Sequence, residues 1–477
     1  PISCTIEKYS EKSQLPEIEM KALFALLLLS LTIWEANSKI KNILLIVSDD
    51  LKADALGCYG NKIARTPHLD RLAEEGTLFQ NAYCQGTSCA PSRASFMRGR
   101  YVGKKEITWG EHFQKNGFSS TRVGKIFHMR VPGDIIAGTD GQDVPECWSA
   151  KYNIAGKEAH TPGNYACLNL NKFTTELEGR QSTQMPYRMF VTVDYVGDGS
   201  DQPDWKAATQ SIELLKRLKE DKKPFFLATG LVRPHYPSVA PEQYFKSYPY
   251  ADMVLPYVPK DDWKDMPKAA ISNSNSLQYG INQFPDNQKR MWSAYLATVT
   301  FMDEQVGRIL NTLKELGLEK ETAVFFTSDH GYLLGEHHFW QKSNLREEVT
   351  RVPLIIKSPV NRPGKTRSIV ELVDLFPTAC ELSSLKIPSS VQGKSLVPIL
   401  QNPQKKVKKS ALSFVKAGTS MRTEKWSYLK YKDGSEELYD MEKDPKQFKN
   451  LAKVPSFKNR IFLQRKLFYS KNEAILK

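Results

Sequence analysis

Asp49-Asp50 and Asp329-His330 each stand where an apolar run stops. The first run is Lys41-Asn42-Ile43-Leu44-Leu45-Ile46-Val47-Ser48, and the second is Thr322-Ala323-Val324-Phe325-Phe326-Thr327-Ser328. Continuous runs of this length read as parallel strands buried on both faces. Ligand sites of open α/β sheets form beyond the carboxyl ends of such strands, and adjacent carboxylates there are costly unless a cation compensates them. Either pair alone suits a solvated loop equally well. Two strands delivering Asp-Asp and Asp-His to one sheet edge suit a hard cation, because oxygen-rich donor sets favour Ca²⁺ or Mg²⁺. Between them, Cys89-Ala90-Pro91-Ser92-Arg93 puts a thiol just ahead of a helix N-terminus with a guanidinium nearby, the setting of a low-pKa nucleophile.

These five residues also match Cys-x-Pro-Ser-Arg, the modification motif of the sulfatases, and separated segments follow that family's order. Leu56-Gly57-Cys58-Tyr59-Gly60-Asn61, Thr66-Pro67-His68-Leu69-Asp70, Val123-Gly124-Lys125-Ile126-Phe127-His128, Gly230-Leu231-Val232-Arg233-Pro234-His235 and Gly335-Glu336-His337 with Lys342 all fall in place. The chain resembles a sulfatase from residue 41 to about 455. By that resemblance Asp49, Asp50, Cys89, Asp329 and His330 hold one divalent ion, Ca²⁺ rather than Mg²⁺. Cys89 is the residue that a formylglycine-generating enzyme converts to 3-oxoalanine (formylglycine), Arg93 supports it, and Lys125, His128, His235 and Lys342 surround the sulfate.

A sulfate monoester carries one negative charge, so its hydrolysis calls for surrounding cations, a strong nucleophile and proton delivery to the leaving oxygen. The resemblance assigns charge neutralisation to Lys125, Lys342 and Arg93. It further implies attack on sulfur by the hydrated aldehyde at Cys89, protonation of the leaving alcohol by His235 or Lys342, and a base, His128, for the step that expels sulfate. A lone His is more often structural than catalytic; His68, His112, His160, His337 and His338 stay in that class, with His337 the closest to the motif. Two positions depart from the family pattern: Arg98-Gly99 stands where Thr-Gly is usual, and His338 replaces a Gly.

The elements that position these residues follow the same resemblance. It implies an α/β, alkaline-phosphatase-like sulfatase fold: a large, mostly parallel sheet flanked by helices, with a smaller C-terminal subdomain carrying an antiparallel sheet. Residues 39–395 form the catalytic domain and 396–477 the subdomain, joined through the charged linker Asn402-Pro403-Gln404-Lys405-Lys406-Val407-Lys408-Lys409. Within the subdomain, Trp426–Tyr431 and Glu437–Asp440 read as strands joined by a hairpin turn at Asp433-Gly434, followed by a closing helix. The stretch Asp198–Asp204 with Lys223–Ala228 and Arg233–Pro237 is most like the iduronate-2-sulfatase branch, which acts on heparan and dermatan sulfate. Two other classes stay open: a phosphodiester or phosphonate hydrolase of the same superfamily, and an inactive glycan-binding homologue.

Composition narrows the remaining choices. With 477 residues, 40% hydrophobic and 25% charged, the chain is neither collagen-like, low-complexity nor wholly disordered. Residues 20–38 read as a signal peptide because the 13-residue apolar run Ala22–Trp34 is too short to span a bilayer, and residues 1–19 precede it as leader sequence. This implies a secretory route to a lysosome or the extracellular space, although no Asn-x-Ser/Thr acceptor supports glycan-dependent sorting. Secretion permits disulfides, and Cys147–Cys167 is the expected local bridge. The net charge of +14 permits nucleic acid, membrane or sulfated glycan as partner. The motifs select a sulfated glycosaminoglycan or other sulfate ester, with no nucleic acid and no stable membrane insertion.

Overall fold

The structure, a computed structural model, describes residues 40–101, 106–184 and 187–476, so the segments read as leader (1–19) and signal peptide (20–38) lie outside the described residues. Nine strands build the main sheet: β1 (Asn42–Asp49), β2 (Thr77–Tyr83), β3 (Ser119–Gly124), β4 (Ala150–Tyr152), β5 (Phe225–Pro234), β6 (Thr322–Ser328), β7 (Arg351–Val352), β8 (Leu354–Lys357) and β9 (Gly364–Glu371). They lie in the order β9-β2-β8-β6-β1-β5-β3-β4, with β7 continuing the pairing of β8 against β2 across Pro353. Only β7 and β8 run antiparallel, so β9, β2, β6, β1, β5, β3 and β4 all end at one edge.

The continuous apolar pattern of β1 has a direct cause. Successive side chains of a strand point to opposite faces, and both faces here are covered. Leu44 and Ile46 pack against α1 (Pro67–Glu75), α4 (Pro203–Asp221) and α5 (Pro285–Glu315). Ile43, Leu45 and Val47 pack on the other side with Trp109 and Phe113 of α3 (Trp109–Lys115) and with Phe376 and Cys380 of α6 (Leu375–Leu382). The helix α2 (Cys89–Phe96) starts beyond the end of β2. Register Ser48↔Ser328 between β1 and β6 then sets Asp49-Asp50 beside Asp329-His330, as the sequence pattern implies.

The C-terminal sheet has four antiparallel strands, β10 (Ser410–Val415), β11 (Gly418–Thr423), β12 (Trp426–Tyr431) and β13 (Glu436–Asp440), followed by α7 (Lys458–Leu476). The turn at Asp433-Gly434 forms as expected, with Gly434 at φ +89°; β10 and β11 were not anticipated. Leu396, Ile399 and Leu400 pack in the main-sheet core, while Leu412, Tyr428 and Leu438 form a separate cluster with Ile461 and Phe468 of α7.

One expectation is corrected. Cys147 and Cys167 are both free and lie in different cores. The segment between them is no closed loop: it adds β4 to the edge of the main sheet and then enters a second, four-stranded sheet through Asn164–Cys167. Cys147 packs against Gly110 and Ser120, whereas the Cys167 Sγ lies 3.5 Å from Asn169 Oδ1. Burial pushes both thiols up, to about 12 and about 11, as expected of inert core cysteines.

Candidate active site

Cys89 is the first residue of α2, after Ser88 as N-cap, where the helix dipole favours a negative charge. Its sulfur is 3.1 Å from Lys342 Nζ, 3.4 Å from His330 Nε2, 3.9 Å from Asp50 Oδ1 and 4.0 Å from Lys125 Nζ. Burial and the Asp49 charge raise the thiol, but Lys125 and Lys342 outweigh them and leave it below its usual value. One helical turn on, Arg93 lies on the same face as Cys89 and is fully buried. It donates from Nε to Asp329 Oδ2 and from Nη2 to Asp49 Oδ1, both at 2.9 Å. A planar guanidinium suits this bridge between carboxylates from two strands.

Asp50 leaves β1 in the left-handed region at φ 63°, unusual for a residue with a Cβ and costing on the order of 1 kcal/mol. Its neighbours hold it there: its amide donates to Asp329 Oδ1 (3.2 Å), and its carbonyl accepts from Tyr295 Oη (2.7 Å). The same Tyr295 hydroxyl accepts from the Lys52 amide at 2.9 Å, and Leu51 N donates to Ser328 Oγ at 2.9 Å. Lys342 Nζ reaches Asp50 at 2.6 and 3.0 Å. Burial nevertheless pushes the Asp50 carboxyl up to about 7, although Lys342 opposes that rise.

Lys125 reaches Asp49 from the end of β3 because two glycines face each other across β3 and β5. A Cβ on Gly230 would fall on the Lys125 carbonyl, and one on Gly124 would fall on the Gly230 carbonyl. Although burial alone would raise Asp49, Lys125 and Arg93 hold it well below the usual carboxylate range. His330 Nδ1 contacts the Gly331 carbonyl at 2.9 Å, which aims Nε2 at Asp50 Oδ1 (3.4 Å) and Asp329 Oδ2 (3.6 Å). Burial opposes its protonation, but Asp329 and Cys89 raise it to about 9.

His235 Nδ1 meets the Tyr236 carbonyl at 2.5 Å, leaving Nε2 3.7 Å from Asp50 Oδ2. Burial and Lys342 hold its pKa well below the usual value, so the ring is neutral. His128 is half-buried, and its buried Nδ1 has no hydrogen-bond partner among the described residues. Burial and then the Lys125 charge depress it to about 4. His337 does not join the cluster: its Nδ1 pairs with Asp262 at 2.8 Å. His338 packs edge-on against Trp263.

The donor atoms of Asp49, Asp50, Cys89 and His235 lie within 4.8 Å of one another, as do those of Cys89, Asp329 and His330. Three carboxylates and the His330 imidazole converge here, and such a donor set fits a divalent cation. Arg93, Lys125 and Lys342 already balance the three carboxylates, so a divalent ion would leave the site net positive and attractive to an anionic ester.

Sequence reasoning missed the residues that hold this cluster. Tyr236 gives its carbonyl to His235, carries Lys342 5.6 Å from its ring centroid and accepts from Gln341 Nε2 at 2.8 Å. Asp204, at the start of α4, accepts the Val232 and Arg233 amides and so fixes the turn bearing His235. The segment after Lys342 is tied to the C-terminal sheet by Arg346, which donates to Tyr439 Oη at 2.8 Å and pairs with Glu437. Tyr236 and Asp204 fall in stretches that the motifs already singled out, whereas Tyr295 is one buried residue of a 31-residue helix and gave no signal.

The sulfatase family model matches residues 41–385, and that of the N-sulphoglucosamine sulphohydrolase C-terminal region matches residues 335–472. Mus musculus iduronate 2-sulfatase is 32% identical over 401 residues, covering 73% of this chain and 69% of that protein. The phosphonate monoester hydrolase SpPMH from Silicibacter pomeroyi superposes with a TM-score of 0.73 at 21% identity, over 91% of this chain and 95% of that one. BT1596, a 2-O GAG sulfatase, superposes with a TM-score of 0.68 at 20% identity, over 92% of this chain and 93% of the other.

Proposed function

This chain belongs to the sulfatase family, and from that premise we propose that it hydrolyses sulfate esters at Cys89, removing the 2-O-sulfate of iduronate in heparan and dermatan sulfate. The observation that carries the reaction is the position of the Cys89 sulfur, at a helix N-terminus and within 4.0 Å of Lys342, Lys125 and His330. The substrate class rests on the iduronate 2-sulfatase likeness, together with the fold shared with a 2-O GAG sulfatase.

Oxidised to formylglycine, Cys89 would supply the nucleophilic oxygen, and a calcium ion held by Asp49, Asp50, Asp329, His330 and residue 89 itself would polarise the sulfate. The chain's own side chains do the rest. Arg93 fixes Asp49 and Asp329 in place. Lys125 and Lys342 neutralise the charge that grows on the sulfate oxygens. Lys342 is held protonated by Asp50 and Cys89 despite its burial, and donates a hydrogen bond to the leaving oxygen. His235, neutral with Nε2 turned inward, is the weaker candidate for that role. His128 is neutral above about pH 4, and its Nδ1 has no hydrogen-bond partner among the described residues, which suits the base that removes a proton in the sulfate-releasing step.

The fold shared with a phosphonate monoester hydrolase favours one second reading, hydrolysis of phosphonate or phosphate diesters. Matched aryl sulfate, phosphate diester and phosphonate substrates separate the two by their relative kcat/KM. Within the sulfatase reading, disaccharides sulfated only at the uronate 2-position are to be cleaved. Activity confined to glucosamine 6-sulfates would refute the substrate assignment. A secretory route to a lysosome or the extracellular space fits such a substrate; among the described residues no helix is long and apolar enough to cross a membrane.

A further inference from the structure

The chain's basic surplus has a defined place in the fold. Residues 403–477 hold 19 Lys and Arg against 8 Asp and Glu. A groove of about 870 Å³ opens between the end of β9, the start of β10 and α7. Arg367, Lys394, Lys406, Lys409 and Lys425 line it, with Glu424 the one acidic lining residue. Lys408 and Lys471 form the floor over buried Glu371 and Asp374, so Lys408 is committed to the fold and is not a free linker charge. Arg367 and Lys409 make no side-chain ion pair among the described residues. Lys406 with Glu424 and Lys425 with Glu442 are exposed pairs worth little, which an anionic ligand can displace.

The groove shares its sheet edge with the active site. Glu371 ends β9 and Asp49 ends β1, and these parallel strands are four spacings apart, about 19 Å at ~4.8 Å each. A second link agrees: β10 runs from Ser410 in the groove to Phe414, whose carbonyl accepts the Thr87 amide at 3.3 Å, two residues before Cys89.

We propose that this groove is a second binding site for the sulfated polysaccharide chain, holding it away from the ester being cleaved. The inference rests on the glycan reading above. Its cations suit repeated sulfates. Gln464, 6% exposed, adds an amide to the groove lining, and its buried Oε1 has no hydrogen-bond partner among the described residues. Single-stranded nucleic acid is disfavoured because its bases stack on aromatic platforms. The one aromatic ring lining the groove, Tyr101, is buried and already carries Lys408 and Lys471 at 5.7 Å from its centroid.

The test combines Lys394→Gln, Lys406→Gln, Lys409→Gln and Lys425→Gln in the full chain, using a sized heparin oligosaccharide as probe. The expected result is a dissociation constant at least about tenfold higher in low salt, with a shallower salt dependence. KM for heparan sulfate should rise by a similar factor while kcat and aryl sulfate turnover stay unchanged. Unchanged heparin affinity would overturn the proposal, as would single-stranded DNA binding the unsubstituted protein as tightly as heparin. Failure of the sulfatase reading shows up separately, as absent aryl sulfate turnover in the unsubstituted enzyme.

Discussion

The Lys342 ammonium stands 3.1 Å from the Cys89 sulfur while bonding both carboxylate oxygens of Asp50. One cation thus touches both the proposed source of the nucleophile and a carboxylate of the proposed metal site. Lys342→Ala removes a fixed donor from where charge develops, so kcat for an aryl sulfate should fall on the order of 10²–10³-fold with a cooperative thermal transition retained. A loss under about threefold would remove Lys342 from the reaction.

Tyr295 braces the proposed metal site through the backbone of Asp50. Its hydroxyl holds the Asp50 carbonyl and the Lys52 amide, and so fixes Asp50 in its left-handed turn. Tyr295→Phe should weaken Ca²⁺ binding about 10–100-fold, measured by titrating Ca²⁺ into chelator-treated protein. The unsubstituted enzyme should lose activity on chelation and recover it with Ca²⁺ better than with Mg²⁺. Activity unaffected by exhaustive chelation would count against the cation site.

Acid stability should depend on Glu371. Burial alone would raise this carboxyl, but Lys408 and Lys471 lower it from 4.5 to about 2. A depressed folded-state pKa gives stability that is fully present above about pH 4.5 and lost as pH falls from there towards 2. Glu371→Gln should therefore cost roughly 3 kcal/mol at neutral pH, with the gap to the unsubstituted protein closing below pH 4.5. A gap that stays constant with pH would show that the ion pairs contribute nothing.

The cysteines make a simpler case. With Cys147 and Cys167 in separate cores, peptide mapping under non-reducing conditions should find neither in a disulfide with the other, and reductant should leave the unfolding temperature unchanged. A mapped Cys147–Cys167 bridge would contradict this arrangement.

The cluster was legible in the sequence because its members sit at strand ends in short motifs, where register alone brings Asp49-Asp50 to Asp329-His330. The hairpin at Asp433-Gly434 was legible for a similar, local reason. The Cys147–Cys167 pairing failed because spacing says nothing of a chain that leaves one sheet edge to start another sheet. Lys408 resembled its neighbours in a charged linker, and only the tertiary fold reveals Glu371 and Asp374 beneath it. The supporting Tyr295 is set by helix packing across the sheet, which leaves no mark on local sequence.

The most direct measurement follows aryl sulfate turnover against the fraction of Cys89 converted to formylglycine, the latter read by mass spectrometry of the same preparations. With Cys89 as the source of the nucleophile, kcat should be proportional to the converted fraction and fall to zero with it. Turnover persisting in preparations whose Cys89 remains a thiol, or in Cys89→Ala, would contradict hydrolysis at this residue.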